Sequence, residues 1–336
     1  MLRRRQTPKE EPRELGFGTK LVDTTTRLVN QNGTFNVERT GKPLGRDLYH
    51  RFITMPWSLF FLLLVAGYFA INCLFALLYM AAGLEDLQGA QQQDLLQGFW
   101  EAFFFSTQTF TTVGYGRIAP VGWTASMIAS VESMLGLLAF AMATGVLYGR
   151  FARPVARIVY SGQALMAPYK DRTAFMFRLA NARNSQLIEV TVEVVLSMID
   201  HGNGQAEPRR RYYNLKLELD RINLLSLSWT IVHALDEDSP LHGMTHADLE
   251  TSDAEFLIMI KAFDDTFSQV VYHRSSYRYD EIVWGAKFKP MYTPNRENGK
   301  VRLELDRISE FEAVGLPEPV LETEGENETE TETTGA

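Results

Sequence analysis

No charged residue interrupts the chain from Phe52 to Leu84, and the core of that stretch, "MPWSLFFLLLVAGYFAINCLFALLYMAAGL", is apolar almost throughout. It exceeds the ~20 residues that cross a bilayer, and helices of soluble proteins rarely stay uncharged for so long. Trp57 and Tyr79 sit near its ends, where interfacial anchors are expected. A second apolar run, Ile118 to Gly149, carries one charge, Glu132, and small residues at Gly136, Ala139, Ala143 and Gly145 that permit close helix packing in a membrane. Between the two lies "LLQGFWEAFFFSTQTF", apolar and aromatic but too short to cross. It predicts a re-entrant half helix with Phe99, Trp100, Phe103, Phe104 and Phe105 packed into protein. After residue 157 the pattern changes. "AFMFRLANARN", "LIEVTVEVVLSMI" and "YYNLKLELD" alternate apolar with polar residues, while "LLSLSWTIVHAL", "EFLIMIKAF" and "SQVVYHRSSY" are short apolar or β-branched runs. Such strands, separated by turn signals, predict an antiparallel β-sandwich.

Composition alters this picture little. The 336 residues suggest about two domains. The 46% apolar and 22% charged fractions are ordinary averages that conceal the crowding of apolar residues between positions 52 and 149. One cysteine, Cys73, leaves no disulfide within the chain and no Cys/His zinc spacing. His242 and His246 stand four apart, but Gly243 between them makes "SPLHGMTHADLE" read as a loop. No apolar h-region follows the charged start "MLRRRQTPKEEPREL", so no signal peptide is expected. No G-x-G-x-x-G, catalytic triad or paired-carboxylate pattern is present, so neither an enzyme nor a nucleotide-binding regulatory domain is expected. No nucleic-acid partner is expected either.

Charge orients the spans. Arg39, Lys42, Arg46 and Arg51 precede the first, and Arg150, Arg153 and Arg157 follow the second. The connecting segment opens with Glu85 and Asp86 and contains Asp94. The positive-inside rule places both termini in the cytoplasm of a multi-pass cell-membrane protein. The segment "TFTTVGYGRIAP" then follows a half helix, precedes a span and faces outward. Glycines at 114 and 116 allow positive φ, so successive carbonyls can point toward one axis. Thr112-Val113-Gly114-Tyr115-Gly116 reproduces the TVGYG loop already known as a potassium filter, a match of pattern rather than a derivation. One chain supplies one wall, so four copies are expected around K+ ions held by the filter backbone, with no other cofactor. The C-terminal end of the half helix near Thr109–Thr111 favours a cation.

With "DLYHRFITMPW" (Asp47–Trp57), the filter, "GRFARP" (Gly149–Pro154), "TIVHALDEDSPL" (Thr230–Leu241) and "RSSYRYDEIVWG" (Arg274–Gly285), the chain resembles the inward-rectifier potassium channel (Kir) family over roughly Arg27 to Met291. The missing extracellular cysteine pair and compact layout resemble its bacterial, KirBac-like branch. The resemblance implies a two-transmembrane-helix α-helical potassium channel pore domain plus a cytoplasmic all-β immunoglobulin-like sandwich domain. Its divisions would be an N-terminal segment (1–43), a slide helix (44–56), an outer helix (57–82), a pore helix (98–109), the filter (111–116), an inner helix (122–150), a linker (151–157), the sandwich (158–310) and an acidic tail (311–336) of low complexity. It further implies that Arg46, His50, Arg51, Arg150, Arg153 and Arg157 meet headgroups of anionic lipids or phosphoinositides. Asp265, Thr266, Phe267, Ser268 and Gln269 would narrow a cytoplasmic pore. Phe140, Thr144 and Tyr148, at i, i+4 and i+8, would line the cavity, with Tyr148 as the gate.

Three positions depart from the family's pattern. Phe140 stands where strong rectifiers carry an acid, so strong rectification is not expected there, although block by polyamine, Mg2+ or Ba2+ stays open. Gln108 stands where the family has a glutamate that braces the filter through an arginine. Glu132, about 27 Å above Arg150 at ~1.5 Å per residue, is expected behind the filter, where a buried acid needs a partner. Arg117, Thr109 and Trp123 are the candidates, and Gln108, Arg117 and Glu132 together are the expected filter support. Two other readings remain at this point: a cation channel of relaxed selectivity, because of Gln108, and a membrane-anchored sensor with a vestigial pore.

Overall fold

The computed structural model describes residues 27–38, 48–91, 93–152, 157–183, 185–201, 208–295 and 300–317. They fall into two units, one of helices within 40–153 and one of strands built from the N-terminal segment and the residues after 153. The linker expected at 151–157 therefore falls at the boundary, with 153–156 outside the described residues. The acidic tail expected from 311 begins later than that: Phe311–Ala313 form a strand of the second unit, and only 318–336 lie outside the described residues.

The helical unit contains α1 (Leu48–Thr54), α2 (Trp57–Ala82), α3 (Leu95–Phe110) and α4 (Trp123–Phe151). The breaks have local causes. Pro56 lacks an amide hydrogen and separates α1 from α2. Gly83, at φ 111°, ends α2 in a conformation that a side chain would strain. Asp94 starts α3 by accepting a hydrogen bond from the Gln97 amide at 2.7 Å, which begins the helix a turn earlier than the expected 98. Only 17% and 11% of the most apolar windows of α2 and α4 are buried within the chain. A soluble core helix would bury nearly all of such a window. These two present Leu62, Phe69, Leu77, Leu137 and Met142 outward instead, as lipid-facing helices do. A short ribbon of β1 (Leu87–Gln88) and β2 (Ala119–Pro120) joins the ends of the connecting segment.

The half helix is only partly sheathed in its own chain. Phe103 and Phe105 are buried and Phe99 is half-buried, whereas Trp100 and Phe104 stand exposed on the single chain. The five aromatic residues cover more than one side of a 3.6-residue helix, so a single chain cannot enclose them all.

The second unit is a β-sandwich. One sheet runs β11 (Gln269–Arg278), β10 (Glu255–Asp264), β6 (Leu187–Asp200), β7 (Arg209–Asn214), with β8 (Arg221–Leu225) also on β6. The other runs β12 (Ile282–Trp284), β4 (Ala164–Tyr169), β5 (Arg172–Asn181), β3 (Ile158–Tyr160), with β9 (Ser228–Ala234) on β5. Pairing within both is antiparallel except β12 with β4. Val190, Val192, Val194 and Leu196 of β6 and Phe256, Ile258 and Ile260 of β10 point into the core. There Phe256 stacks on Phe175 of β5 with ring centroids 4.1 Å apart. Burial at about 25 cal/mol per Å² of apolar surface drives this packing.

Three expectations need correction here. β5 is buried on both faces from Ala174 to Ala180, not alternately, because β13 (Ala286–Phe288), paired with β16 (Phe311–Ala313), lies on its outer side. The strand expected through "YYNLKLELD" stops at Asn214. "SPLHGMTHADLE" is not all loop: α5 (His246–Thr251) begins at His246 behind a Thr245–Asp248 capping box, a T-x-x-D signal visible in the sequence.

Candidate pore and filter

The stretch after α3 is held by backbone bonds. The amides of Thr111, Thr112 and Val113 donate to the carbonyls of Thr107, Thr109 and Gln108 at 3.1, 3.1 and 2.9 Å, and the Gly114 amide reaches Gln108 O at 3.3 Å. Of the last carbonyls of α3, which any helix end leaves free, those of Thr107, Gln108 and Thr109 thereby accept a bond. Thr112, Gly114 and Gly116 take φ of 59°, 54° and 80°, alternating with Val113 and Tyr115, which do not. This is the alternation that lets successive carbonyls face one side. Thr112 adopts the left-handed region without being glycine, a strained conformation of the kind found at functional sites. Residues 111–117 are exposed on the single chain, with Tyr115 79% accessible.

Gln108 contributes through its main-chain carbonyl, which any residue would provide. Arg117 does not approach Glu132. Its guanidinium pairs with Glu101 on α3 at 2.6 Å, a residue the sequence reading did not single out. An arginine just past the TVGYG stretch and an acid sixteen residues before that arginine, in the aromatic run, were the available signal.

Glu132 is fully buried, and its partners are none of Arg117, Thr109 and Trp123. The Tyr79 hydroxyl donates to Glu132 Oε2 at 2.6 Å, and Ser106 Oγ lies 2.5 Å from Glu132 Oε1. Ser106 Oγ is also 2.9 Å from Asn72 Oδ1, and the Asn72 amide group donates to the Tyr68 carbonyl at 2.7 Å. Asn72, Tyr79 and Ser106 are as completely buried as Glu132. The cluster thus joins α2, α3 and α4. One turn along α4, a Cβ on Gly136 would stand 2.1 Å from the Phe110 carbonyl oxygen, one turn along α3 from Ser106.

Phe140, Thr144 and Tyr148 form one exposed stripe toward the end of α4, with Phe140 73% and Tyr148 74% accessible. Arg150 turns inward. It donates to the carbonyls of Phe52 and Met55 at 2.5 and 2.7 Å and lies 4.3 Å from the Trp57 ring centroid. His50 and Arg51 are exposed on α1, as is Arg157. Arg46 and Arg153 lie outside the described residues.

In the β unit, residues 265–268 form the tight turn of the β10–β11 hairpin, and Gln269 opens β11. The buried Asp264 carboxylate accepts from the Thr266 amide at 3.0 Å, and Ser268 takes φ 50°. Phe267 lies under the Arg183 guanidinium at 5.8 Å. Among the described residues no cluster of His, Cys, Asp or Glu could hold a metal ion.

A family profile described as the inward rectifier potassium channel C-terminal domain matches residues 158–329, and one described as an ion channel matches residues 58–153. The chain is 34% identical over 297 residues to the inward rectifier potassium channel Kirbac3.1 of Paramagnetospirillum magnetotacticum, covering 88% of this chain and 98% of that one. It is 29% identical to the ATP-sensitive inward rectifier potassium channel 12 of Gallus gallus, covering 85% of this chain and 73% of that one. It is 27% identical to the inward rectifier potassium channel 18 of Homo sapiens, covering 85% and 72%. These relatives are channels, not enzymes. Two membrane-length apolar helices, a β-sandwich, the two family profiles and a 34% identical relative matched along 98% of its length lead to one assignment: the chain belongs to the inward rectifier potassium channel family.

Proposed function

We propose that four copies of this chain surround a potassium-selective path, with the carbonyls of Thr112, Val113, Gly114, Tyr115 and Gly116 replacing the water shell of K+. The observation that carries this is the φ alternation at Thr112, Gly114 and Gly116, held by amide bonds onto the end of α3. Gln108 does not weaken the filter on this reading, because its backbone carbonyl makes the attachment. The pore unit sits in the cell membrane with both chain termini on the cytoplasmic side, as the basic flanks of the spans favour. Tyr148, exposed near the inner end of α4, is the gate, and Phe140 and Thr144 line the cavity above it. With Phe140 neutral, internal polyamine or Mg2+ finds no acid at that level, so rectification is weak there. The hairpin tip at Asp265–Gln269 forms a second constriction in the cytoplasmic half. Arg46, Arg51, Arg153 and Arg157 attract anionic headgroups at about 1 kcal/mol each, with His50 next to Arg51. Arg150 instead fixes α1 against the end of α4, since two carbonyls and an aromatic ring already occupy its guanidinium.

The test is tracer rubidium uptake into liposomes holding the full chain. Uptake blocked by barium and outcompeted by potassium, but not by sodium, supports the proposal. Equal competition by sodium favours a cation channel of relaxed selectivity. No uptake in any lipid mixture leaves a membrane-anchored sensor.

A further inference from the structure

The polar cluster behind the filter contains more contacts than an ionised carboxylate can satisfy. Three close contacts connect Tyr79, Glu132, Ser106 and Asn72. The orientation of Asn72 is fixed, because its amide nitrogen lies 2.7 Å from the Tyr68 carbonyl and must donate to it. Asn72 Oδ1 therefore faces Ser106 and can only accept. The Tyr79 hydroxyl brings one proton and the Ser106 hydroxyl another, which makes two protons for three contacts. If Glu132 were ionised, Ser106 could serve either Glu132 or Asn72. One 2.5 Å or 2.9 Å oxygen pair would then be left with no hydrogen between its atoms, in a fully buried site. A single proton on Glu132 removes the conflict. Glu132 Oε1–H donates to Ser106 Oγ, Ser106 donates to Asn72 Oδ1, and Tyr79 donates to Glu132 Oε2. Among the described residues no arginine or lysine bonds to Glu132, and Arg117, just past the filter, is engaged by Glu101.

We propose that Glu132 stands as a neutral carboxylic acid whose proton, passed through Ser106 to Asn72, fixes the pore helix against both spans. This makes it a positioning residue for the filter. It touches no ion, and a charge at this site is not what supports selectivity. The proposal rests on the reading of Thr112–Gly116 as a potassium filter. Gly136, directly below Glu132, supplies the close approach that the short Ser106 contact needs.

The proton count makes a prediction that ordinary packing does not. A glutamine can reproduce every bond of the neutral acid: its oxygen accepts from Tyr79 and its NH2 donates to Ser106. The first measurement is the infrared difference spectrum of the purified full-length channel at neutral pH, wild type minus Glu132→Gln. A carbonyl band of a protonated carboxyl group, present in the wild type and lost in the variant, is expected. Its absence overturns the proposal whether or not the protein conducts. The second measurement is potassium-over-sodium competition in rubidium uptake. Glu132→Ala is expected to reduce the competition ratio about tenfold, the scale of one buried polar group left unmatched. Glu132→Gln is expected to restore it to within about twofold of wild type, by the same hydrogen-bond arithmetic. Loss in Glu132→Gln equal to that in Glu132→Ala would show that the negative charge is what matters, and would also overturn the proposal. Failure of wild-type uptake would sink the filter reading while leaving the spectrum to judge the proton.

Discussion

Glu101 and Glu132 both tie α3 to a neighbouring segment, one in the open and the other in a dry interior. Glu101 is itself only 16% exposed, but it reaches Arg117, whose side chain is 51% exposed, so water and salt screen the pair from one side. Glu132 is fully buried, and among the described residues it meets no charged group but a tyrosine, a serine and through that serine an asparagine. An exposed ion pair of this kind contributes about 0.2–1 kcal/mol. A buried polar network leaves a donor or acceptor stranded if any member is removed, at about 1–3 kcal/mol for each stranded group. The difference concerns geometry more than strength. The exposed pair can lengthen or exchange with water. Among the described residues the buried set meets no other partners, so it can hold α3 to one position.

The largest way to break the comparison is to strike the buried side by shape alone. Gly136→Ala puts a methyl group 2.1 Å from the Phe110 carbonyl oxygen, 2.9 Å from its carbon and 3.1 Å from its Cα. These are backbone atoms that cannot rotate away, so α4 or α3 must shift. Overpacking of this type costs about 1–3 kcal/mol or more. Barium-sensitive rubidium uptake is expected to disappear, together with a lower yield of assembled channel on size-exclusion chromatography. A variant with wild-type uptake and assembly would show that the two helices do not need this close approach. Tyr79→Phe is a milder break. It keeps the ring against Phe105 and removes only the donor to Glu132. A loss of about 1–3 kcal/mol in thermal or denaturant stability in detergent is expected. A loss no larger than that of an exposed pair would mean that the buried cluster has somewhere else to bond.

The sequence shows the two sides of this comparison unequally. The two apolar helices and the short aromatic helix between them are legible because each is continuous: an uncharged run and an aromatic run. The sandwich is legible from alternation in β6 and from short β-branched runs. Glu132 was legible as a buried acid in need of a partner. The partner was not, because Tyr79, Ser106 and Asn72 lie 53, 26 and 60 positions away in sequence, and nothing local marks any of them. Tyr79 looked like an interfacial anchor, the ordinary meaning of a tyrosine near the end of a span. Glu101 was overlooked inside an aromatic stretch that reads as uniformly apolar. The double burial of β5 was hidden for a similar reason, since the covering strands β13 and β16 come more than a hundred residues later.

The smallest effect belongs to Glu101→Gln. The substitution keeps the shape and a hydrogen-bonding oxygen for Arg117 and removes only the charge. Stability is expected to change by less than about 1 kcal/mol, and the ratio of potassium to sodium competition by less than about twofold, since 1.4 kcal/mol would be needed for tenfold. What remains of the effect should shrink as salt rises from roughly 0.01 M to 1 M, because the screening length falls from about 30 Å to 3 Å. The same salt series on Tyr79→Phe should be flat, its defect lying where ions do not enter. If Glu101→Gln instead cost as much as Tyr79→Phe, and did so at every salt concentration, the exposed pair would be acting as a rigid strut on the filter. Arg117 rather than Glu132 would then be the principal brace.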